Sequence, residues 1–224
     1  MIISKVYKGT TEFSKGYKGS QLIFSSGRLP SQYQEVEYIQ STSNNKGDNY
    51  IDTGYYPNAN TSAIRLQFMF DGNYPLDDYG RLMGGYNNTF RLEGMANYLE
   101  MSWAIGGLGL ERLNPRFTLD TLYSIGLLSD GVYINDVKQS GGTLDPTVDP
   151  MVLQKTIWLF SSNGGDRDGA YKLYSCQLED NGVLVRDFVP CYIKATGEVG
   201  LYDLVTKEFY HNLGSVPFLK GGDI

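Results

Sequence analysis

Alternation constrains this chain more than any other feature. From Leu29 onward almost every segment repeats its apolar residues with a period of two, the spacing that sends neighbouring side chains to opposite faces of a half-buried strand. In Ile64-Arg65-Leu66-Gln67-Phe68-Met69-Phe70 the even positions are apolar, and Phe90-Arg91-Leu92-Glu93 keeps that parity. Leu99, Met101, Trp103 and Ile105 share one strand face, which marks Trp103 as core, while Tyr98, Glu100, Ser102 and Ala104 share the other. Turn residues separate the runs at Ser129-Asp130-Gly131, Asn135-Asp136 and Asp180-Asn181-Gly182. Ile157-Trp158-Leu159-Phe160 is apolar on both parities and predicts a central strand with Trp158 in the core; residues 143–150, with two prolines, predict a loop. No helical periodicity exceeds a turn or two. Many strands with one apolar and one polar face predict an all-β chain folded as two stacked antiparallel sheets.

Composition agrees. The chain has 27 glycines and 18 tyrosines in 224 residues, where an average chain of this length carries about 16 glycines. A chain of this size buries roughly 70–75% of its unfolded surface, enough for one substantial core. With 19 basic against 25 acidic residues the formal charge is −6, which argues against nucleic acid, since that partner needs clustered Lys and Arg to displace phosphate counterions. Met1-Ile2-Ile3-Ser4-Lys5 opens no apolar run of signal-peptide length, and no run approaches the ~20 residues that span a bilayer, so a soluble chain without a membrane partner is expected. The two cysteines flank the Asp180-Asn181-Gly182 turn. A two- or four-residue turn sets Cys176 opposite Asp187 or Val185, which leaves Cys191 about 13–20 Å further along its strand. A disulfide needs Cα atoms within about 7 Å, so two free, buried thiols are expected, as in a reducing cytoplasm.

The first residues are organised differently. Lys5-Val6-Tyr7-Lys8-Gly9 returns as Lys15-Gly16-Tyr17-Lys18-Gly19, and Leu22-Ile23-Phe24 reads as a further short strand. Such a unit buries little by itself. Residues 1–28 are therefore read as a β-hairpin arm and linker, whose aromatic residues Tyr7, Phe13, Tyr17 and Phe24 are the expected attachment contacts, and residues 29–224 as the main domain. The alternative, that the arm is simply the first strands of a single domain, stays open.

Three stretches carry a family likeness. Lys172-Leu173-Tyr174-Ser175-Cys176, the run from Asp180 through Asp187-Phe188-Val189-Pro190-Cys191, and Gly197-Glu198-Val199-Gly200-Leu201-Tyr202-Asp203 resemble the closing half of a concanavalin A-like, laminin-G-like jelly-roll family found in gut bacteria and their phages. Leu29-Pro30-Ser31, Val36-Glu37-Tyr38-Ile39-Gln40-Ser41-Thr42 and Tyr50-Ile51-Asp52-Thr53-Gly54-Tyr55 match its opening half. The resemblance covers residues 29–220 and implies a two-sheet antiparallel jelly-roll sandwich used for recognition, often of glycans. The short repeats ahead of it are similar to attachment arms of phage structural proteins. Together they imply a non-enzymatic virion decoration or fibre protein, oligomeric, docked on other virion proteins by its arm and holding host or mucosal glycans weakly. The competing expectation is a bacterial cell-surface carbohydrate-binding or adhesion module, with a glycoside hydrolase behind it.

Catalytic patterns are thin. Retaining glycosidases on this sandwich carry alternating acids in the pattern Glu-x-Asp-x-x-Glu, and no such run occurs; Glu35-Val36-Glu37 has the spacing without a third acid. His211 is the one histidine, read as an exposed turn residue. No cofactor is expected; the loop carboxylates of suitable hardness for a rim calcium ion are Asp77, Asp78, Asp166 and Asp168. A glycan site is expected on outward strand positions rich in hydrogen-bonding groups, namely Arg65, Gln67, Arg91, Glu93, Tyr98 and Glu100, with Tyr74, Tyr79 and Tyr86 supplying aromatic walls from loops.

Overall fold

The computed structural model describes residues 6–8, 11–13, 15–18, 21–25, 28–41, 43, 45–58, 61–72, 80–84, 91–95, 100–104, 111–112, 117–128, 130–139, 155–163 and 169–224. Among them there is no helix. The arm contains strands β1 (Val6–Lys8), β2 (Thr11–Phe13), β3 (Lys15–Lys18) and β4 (Gln21–Ser25). β1 pairs with β2 and β3 with β4, as two separate antiparallel hairpins, so each copy of the sequence repeat opens its own hairpin.

The main domain begins with β5 (Tyr33–Glu35), β6 (Ile39–Gln40), β7 (Ile51–Asp52) and β8 (Ser62–Met69). β9 (Gly80–Gly84), β10 (Arg91–Met95), β11 (Glu100–Ala104) and β12 (Glu111–Arg112) follow. Next come β13 (Leu122–Leu128), β14 (Gly131–Ile134), β15 (Val137–Lys138) and β16 (Trp158–Leu159). The chain closes with β17 (Lys172–Asp180), β18 (Val183–Ile193), β19 (Val199–Asp203), β20 (Phe209–His211) and β21 (Leu219–Lys220).

These strands form two antiparallel sheets. The smaller has the order β12-β11-β10-β9-β16-β7. The larger runs β15-β14-β13-β8-β17-β18-β19-β20, with β5 on β18, β6 on β17 and β21 on β6. Ile64, Leu66, Phe68, Ile125, Leu127, Cys176 and Leu178 from the larger sheet share one buried cluster with Leu82, Met83, Leu92 and Leu159 from the smaller. The expected two-layer all-β sandwich is therefore present. β8 shows the alternation directly: its even positions are buried and its odd positions reach toward solvent.

Local chemistry sets the turns. Asn181 (φ 49°) and Gly182 (φ 75°) both occupy the left-handed region, as do Asn135 (φ 49°) and Asp136 (φ 65°). Two consecutive positive φ values make the tight turn whose twist matches that of the flanking strands.

The layers are joined through aromatic rings. Phe160, which follows β16, stacks on Tyr171, which precedes β17, with centroids 4.4 Å apart and planes at 22°. The buried Tyr171 hydroxyl donates to Leu82 O at 2.6 Å and accepts from Phe160 N at 3.2 Å, so its one polar atom is satisfied by backbone of the opposite layer. Phe160 sits at φ 64°, a conformation a bulky residue adopts only when its surroundings hold it there. The Leu82 carbonyl also accepts from Phe160 N at 2.7 Å, so it keeps a partner if the Tyr171 hydroxyl is removed. Tyr171→Phe is expected to cost about 1 kcal/mol in urea unfolding, and Tyr171→Ala about 3–5 kcal/mol, because the ring rather than the hydroxyl fills the joint.

Two expectations need correction. Trp158 is half-buried and turned away from the core, because Leu159 takes the inward position; its ring stacks on Tyr50 at 4.3 Å. The hairpin register of Cys176 is also shifted: a bulge between Leu178 and Glu179 places it opposite Phe188 instead of Asp187 or Val185. Cys191 then lies three residues, about 10 Å, past that partner. Three is odd, so the two thiols point to opposite faces of the sheet. Both are free and buried, and burial pushes the Cys191 thiol up to about 12 and that of Cys176 higher still. A thiol reagent should label neither cysteine in the folded protein at pH 8 and both in denaturant. Since the unfolded thiols ionise near pH 8.5 and the folded ones resist, the melting temperature should hold below that pH and fall as pH rises above it.

Candidate functional site

Alternation on the central strands places polar side chains side by side on the outside of the larger sheet. Across it runs a row of directly paired residues: Lys138 on β15, Tyr133 on β14, Gly126 on β13, Arg65 on β8, Gln177 on β17 and Asp187 on β18. Tyr133, Gly126, Arg65 and Gln177 each stand between core residues on their own strand, such as Ile64 and Leu66 beside Arg65, and Asp187 precedes the core residue Phe188; Lys138 is directly opposite Tyr133, so the row lies on the outward face. Six strands at about 4.8 Å spacing make the row about 24 Å long.

Gly126 shapes the middle of the row. It is buried although it faces outward, and a Cβ built there would lie 3.6 Å from Tyr133 Cβ and 3.7 Å from an Arg65 guanidinium nitrogen. Arg65 therefore has a guanidinium nitrogen over bare backbone at Gly126 and stays exposed, with 45% of its side chain accessible; the cation over the Tyr133 ring is Lys138, its Nζ 5.9 Å from the centroid. Its Nε approaches Glu179 Oε1 at 3.4 Å. Gln177 Nε2 donates to Asp187 Oδ1 at 3.1 Å, and Ser175 Oγ and Gln67 Oε1 are 3.3 Å apart in the adjacent row. At the β15 edge Asp130 Oδ2 accepts from Tyr133 Oη (2.8 Å) and Lys138 Nζ (2.9 Å). The Lys138 hydrogen bond, followed by that of Tyr133, holds the Asp130 carboxyl below its ordinary range, and the same contacts push Tyr133 and Lys138 up. The surface thus offers a flat guanidinium, an aromatic ring, two amides and three carboxylates.

Asp203 anchors the end of the row from beneath. It is fully buried, accepts from Asp187 N and Val205 N through Oδ1 and from Thr206 Oγ1 through Oδ2, and lies 3.6 Å from Arg186 Nε.

The residues expected for ligand binding are divided by the fold. Arg65 and Gln67 stand on this surface. Arg91, Glu93 and Glu100 belong to β10 and β11 of the smaller sheet, on the other layer of the sandwich, so they form no common face with Arg65. Tyr74, Tyr79, Tyr86 and Tyr98 lie outside the described residues, as do Asp77, Asp78, Asp166 and Asp168. In the arm, Tyr7 is opposite Glu12, Phe13 opposite Val6, Tyr17 opposite Leu22 and Phe24 opposite Gly16. Among the described residues no three His, Cys, Asp or Glu side chains come together as a metal site. Tyr133, Gly126, Gln177, Glu179 and Asp187 were not expected. Parity alone marks the odd positions of 177 and 179 as outward, but nothing local says that they neighbour Arg65.

Glu35 and Glu37 have separate structural duties. Glu37 accepts from Gly222 N at 3.2 Å. Glu35 is held by Arg28 in a forked ion pair, with Arg28 Nε 3.0 and 2.9 Å from its two oxygens and Nη2 on Oε1. Both side chains are largely buried, at 14% and 8% accessibility. His211 is exposed, at the end of strand β20 rather than in a turn. Arg28→Ala is expected to destabilise by up to about 3–5 kcal/mol in denaturant titration, since it removes the forked partner of a largely buried carboxylate, whereas Arg28→Met with Glu35→Leu should recover most of that loss.

Comparison with known proteins gives a fold and no family. No protein-family model matches the chain, and no curated protein sequence does. A crystal structure from Bacteroides ovatus, of a protein described provisionally as carbohydrate binding, superposes with a TM-score of 0.54 at 14% identity, covering 85% of this chain and 62% of that one. This chain thus spans less than two thirds of the length of that protein. At this identity the likeness establishes the shared β-sandwich alone.

Proposed function

We propose that this protein is a non-enzymatic carbohydrate-binding module whose site is the outer face of the larger sheet. The observation that carries the reading is the row from Lys138 to Asp187, in which an Arg65 guanidinium nitrogen lies over Gly126, with Tyr133 paired on one side of that glycine and amide and carboxylate groups on the other side of Arg65. A sugar presents hydroxyls that both donate and accept, together with a flat apolar ring face, and this surface has a partner for each. The likeness to the Bacteroides ovatus sandwich and the resemblance of the sequence to concanavalin A-like, laminin-G-like jelly rolls both favour glycan recognition, as fold analogy. The commitment of Glu35 to an ion pair and of Glu37 to a backbone contact supports a reading of binding without catalysis.

A second element of the reading concerns display. Among the described residues the strands of the arm pair with one another and join neither main sheet, the arrangement expected of a docking element. A virion decoration or fibre protein, or a bacterial surface adhesin, would use such an arm to gather many copies, and weak single sites then act together through avidity. Tyr7, Phe13, Tyr17 and Phe24 are the residues proposed to contact the mount.

Glycan-array screening of the whole chain should give positive glycans without cleavage products. Arg65→Ala and Gly126→Leu should each weaken that binding by about tenfold or more, a change of about 1.4 kcal/mol, with unchanged melting, while Arg91→Ala on the other sheet should leave it intact. An array without binding, or binding lost through Arg91 and not Arg65, would overturn the assignment. Removal of residues 1–24, which keeps Arg28 on Glu35, should leave glycan affinity per site unaltered and abolish assembly onto larger particles.

A further inference from the structure

We infer that the ligand of this face is a neutral, hydroxyl-rich saccharide and not an anionic one; the inference rests on the carbohydrate-binding reading of the same site. Both cations in the row already have a carboxylate beside them. Arg65 lies 3.4 Å from Glu179 and Lys138 2.9 Å from Asp130. A third carboxylate, Asp187, is bound to Gln177 at 3.1 Å. Two positive groups therefore meet three negative ones on one surface, and neither cation is left uncompensated.

That pairing decides between ligand classes. A uronate, sialate or sulfate approaching Arg65 must also approach Glu179, and at this exposed surface the attraction of one is offset by the repulsion of the other. A hydroxyl meets no such conflict, because it accepts from the guanidinium while donating to the carboxylate, and the Gln177–Asp187 pair offers the same combination. Adjacent hydroxyls on a sugar ring suit side-by-side donor and acceptor groups, and the Tyr133 ring next to Gly126 supplies a face for the apolar side. Charge-assisted hydrogen bonds remain available to a ligand that carries no charge of its own.

The test compares, on the full chain, neutral oligosaccharides (glucose, mannose and N-acetylglucosamine oligomers) with anionic ones (oligogalacturonate, sialylated and sulfated chains). The neutral class is expected to bind at least about tenfold more tightly, with a dissociation constant that moves less than about twofold between about 0.05 and 0.5 M NaCl. Glu179→Gln leaves Arg65 uncompensated and should raise the affinity for anionic chains, narrowing the preference, with the melting temperature as a control on folding. Preference for anionic chains that collapses with salt overturns this inference and leaves carbohydrate binding standing. Binding to neither class overturns the carbohydrate reading itself. Neutral binding that is indifferent to both Arg65→Ala and Glu179→Gln in folded protein places the ligand elsewhere and also overturns the inference.

Discussion

The ladder between β8 and β17 is the constraint on which the rest of the molecule depends. Residues 62–69 pair with residues 172–180 along its length, and every strand of the larger sheet is placed by reference to it. It brings together segments more than a hundred residues apart, so its loop-closure entropy is recovered only when the whole sandwich forms. A bulge at Tyr174 gives the ladder its working shape. Ser175 rather than Tyr174 pairs with Gln67, so Leu173, Cys176 and Leu178 all face inward even though two of them differ in parity from the third. Tyr174 rests beside Tyr38 at the outer surface, and burial pushes its hydroxyl up to about 12.

A second bulge, between Leu178 and Glu179 on the other side of β17, has a functional consequence. It moves the β18 register by one residue and puts Asp187 beside Gln177. Without it Asp187 would oppose Cys176. The bulge that denies Cys176 its expected neighbour is therefore also the device that completes the polar row. Bulges commonly re-aim side chains in this way.

The core and the outer surface use the same strands for opposite purposes. Inward residues are largely apolar and joined by rings such as Phe68, Phe160 and Tyr171, with the buried Tyr171 hydroxyl satisfied by backbone. Outward residues on those strands include paired donors and acceptors such as Gln177 and Asp187. Gly126 is the position where this division becomes specific, since the absence of a side chain there lets Arg65 lie along the sheet instead of standing away from it.

Much of this was legible in the residues themselves. Alternation gave the strand faces, Asn181-Gly182 and Asn135-Asp136 gave the turns, and cysteine spacing gave free thiols even with the register off by one, because these depend on backbone preferences and side-chain direction within a few residues. Strand adjacency was not legible. Arg65 and Arg91 share the same local pattern yet belong to different layers, and Trp158 lies on the outward side of a strand whose neighbours on both parities are apolar. Local periodicity says only that a residue points inward or outward. Which outward residues become neighbours is decided by pairing between distant strands and by two single-residue bulges, because cross-strand contacts of about 5 Å exist only after the whole sheet has closed on its core.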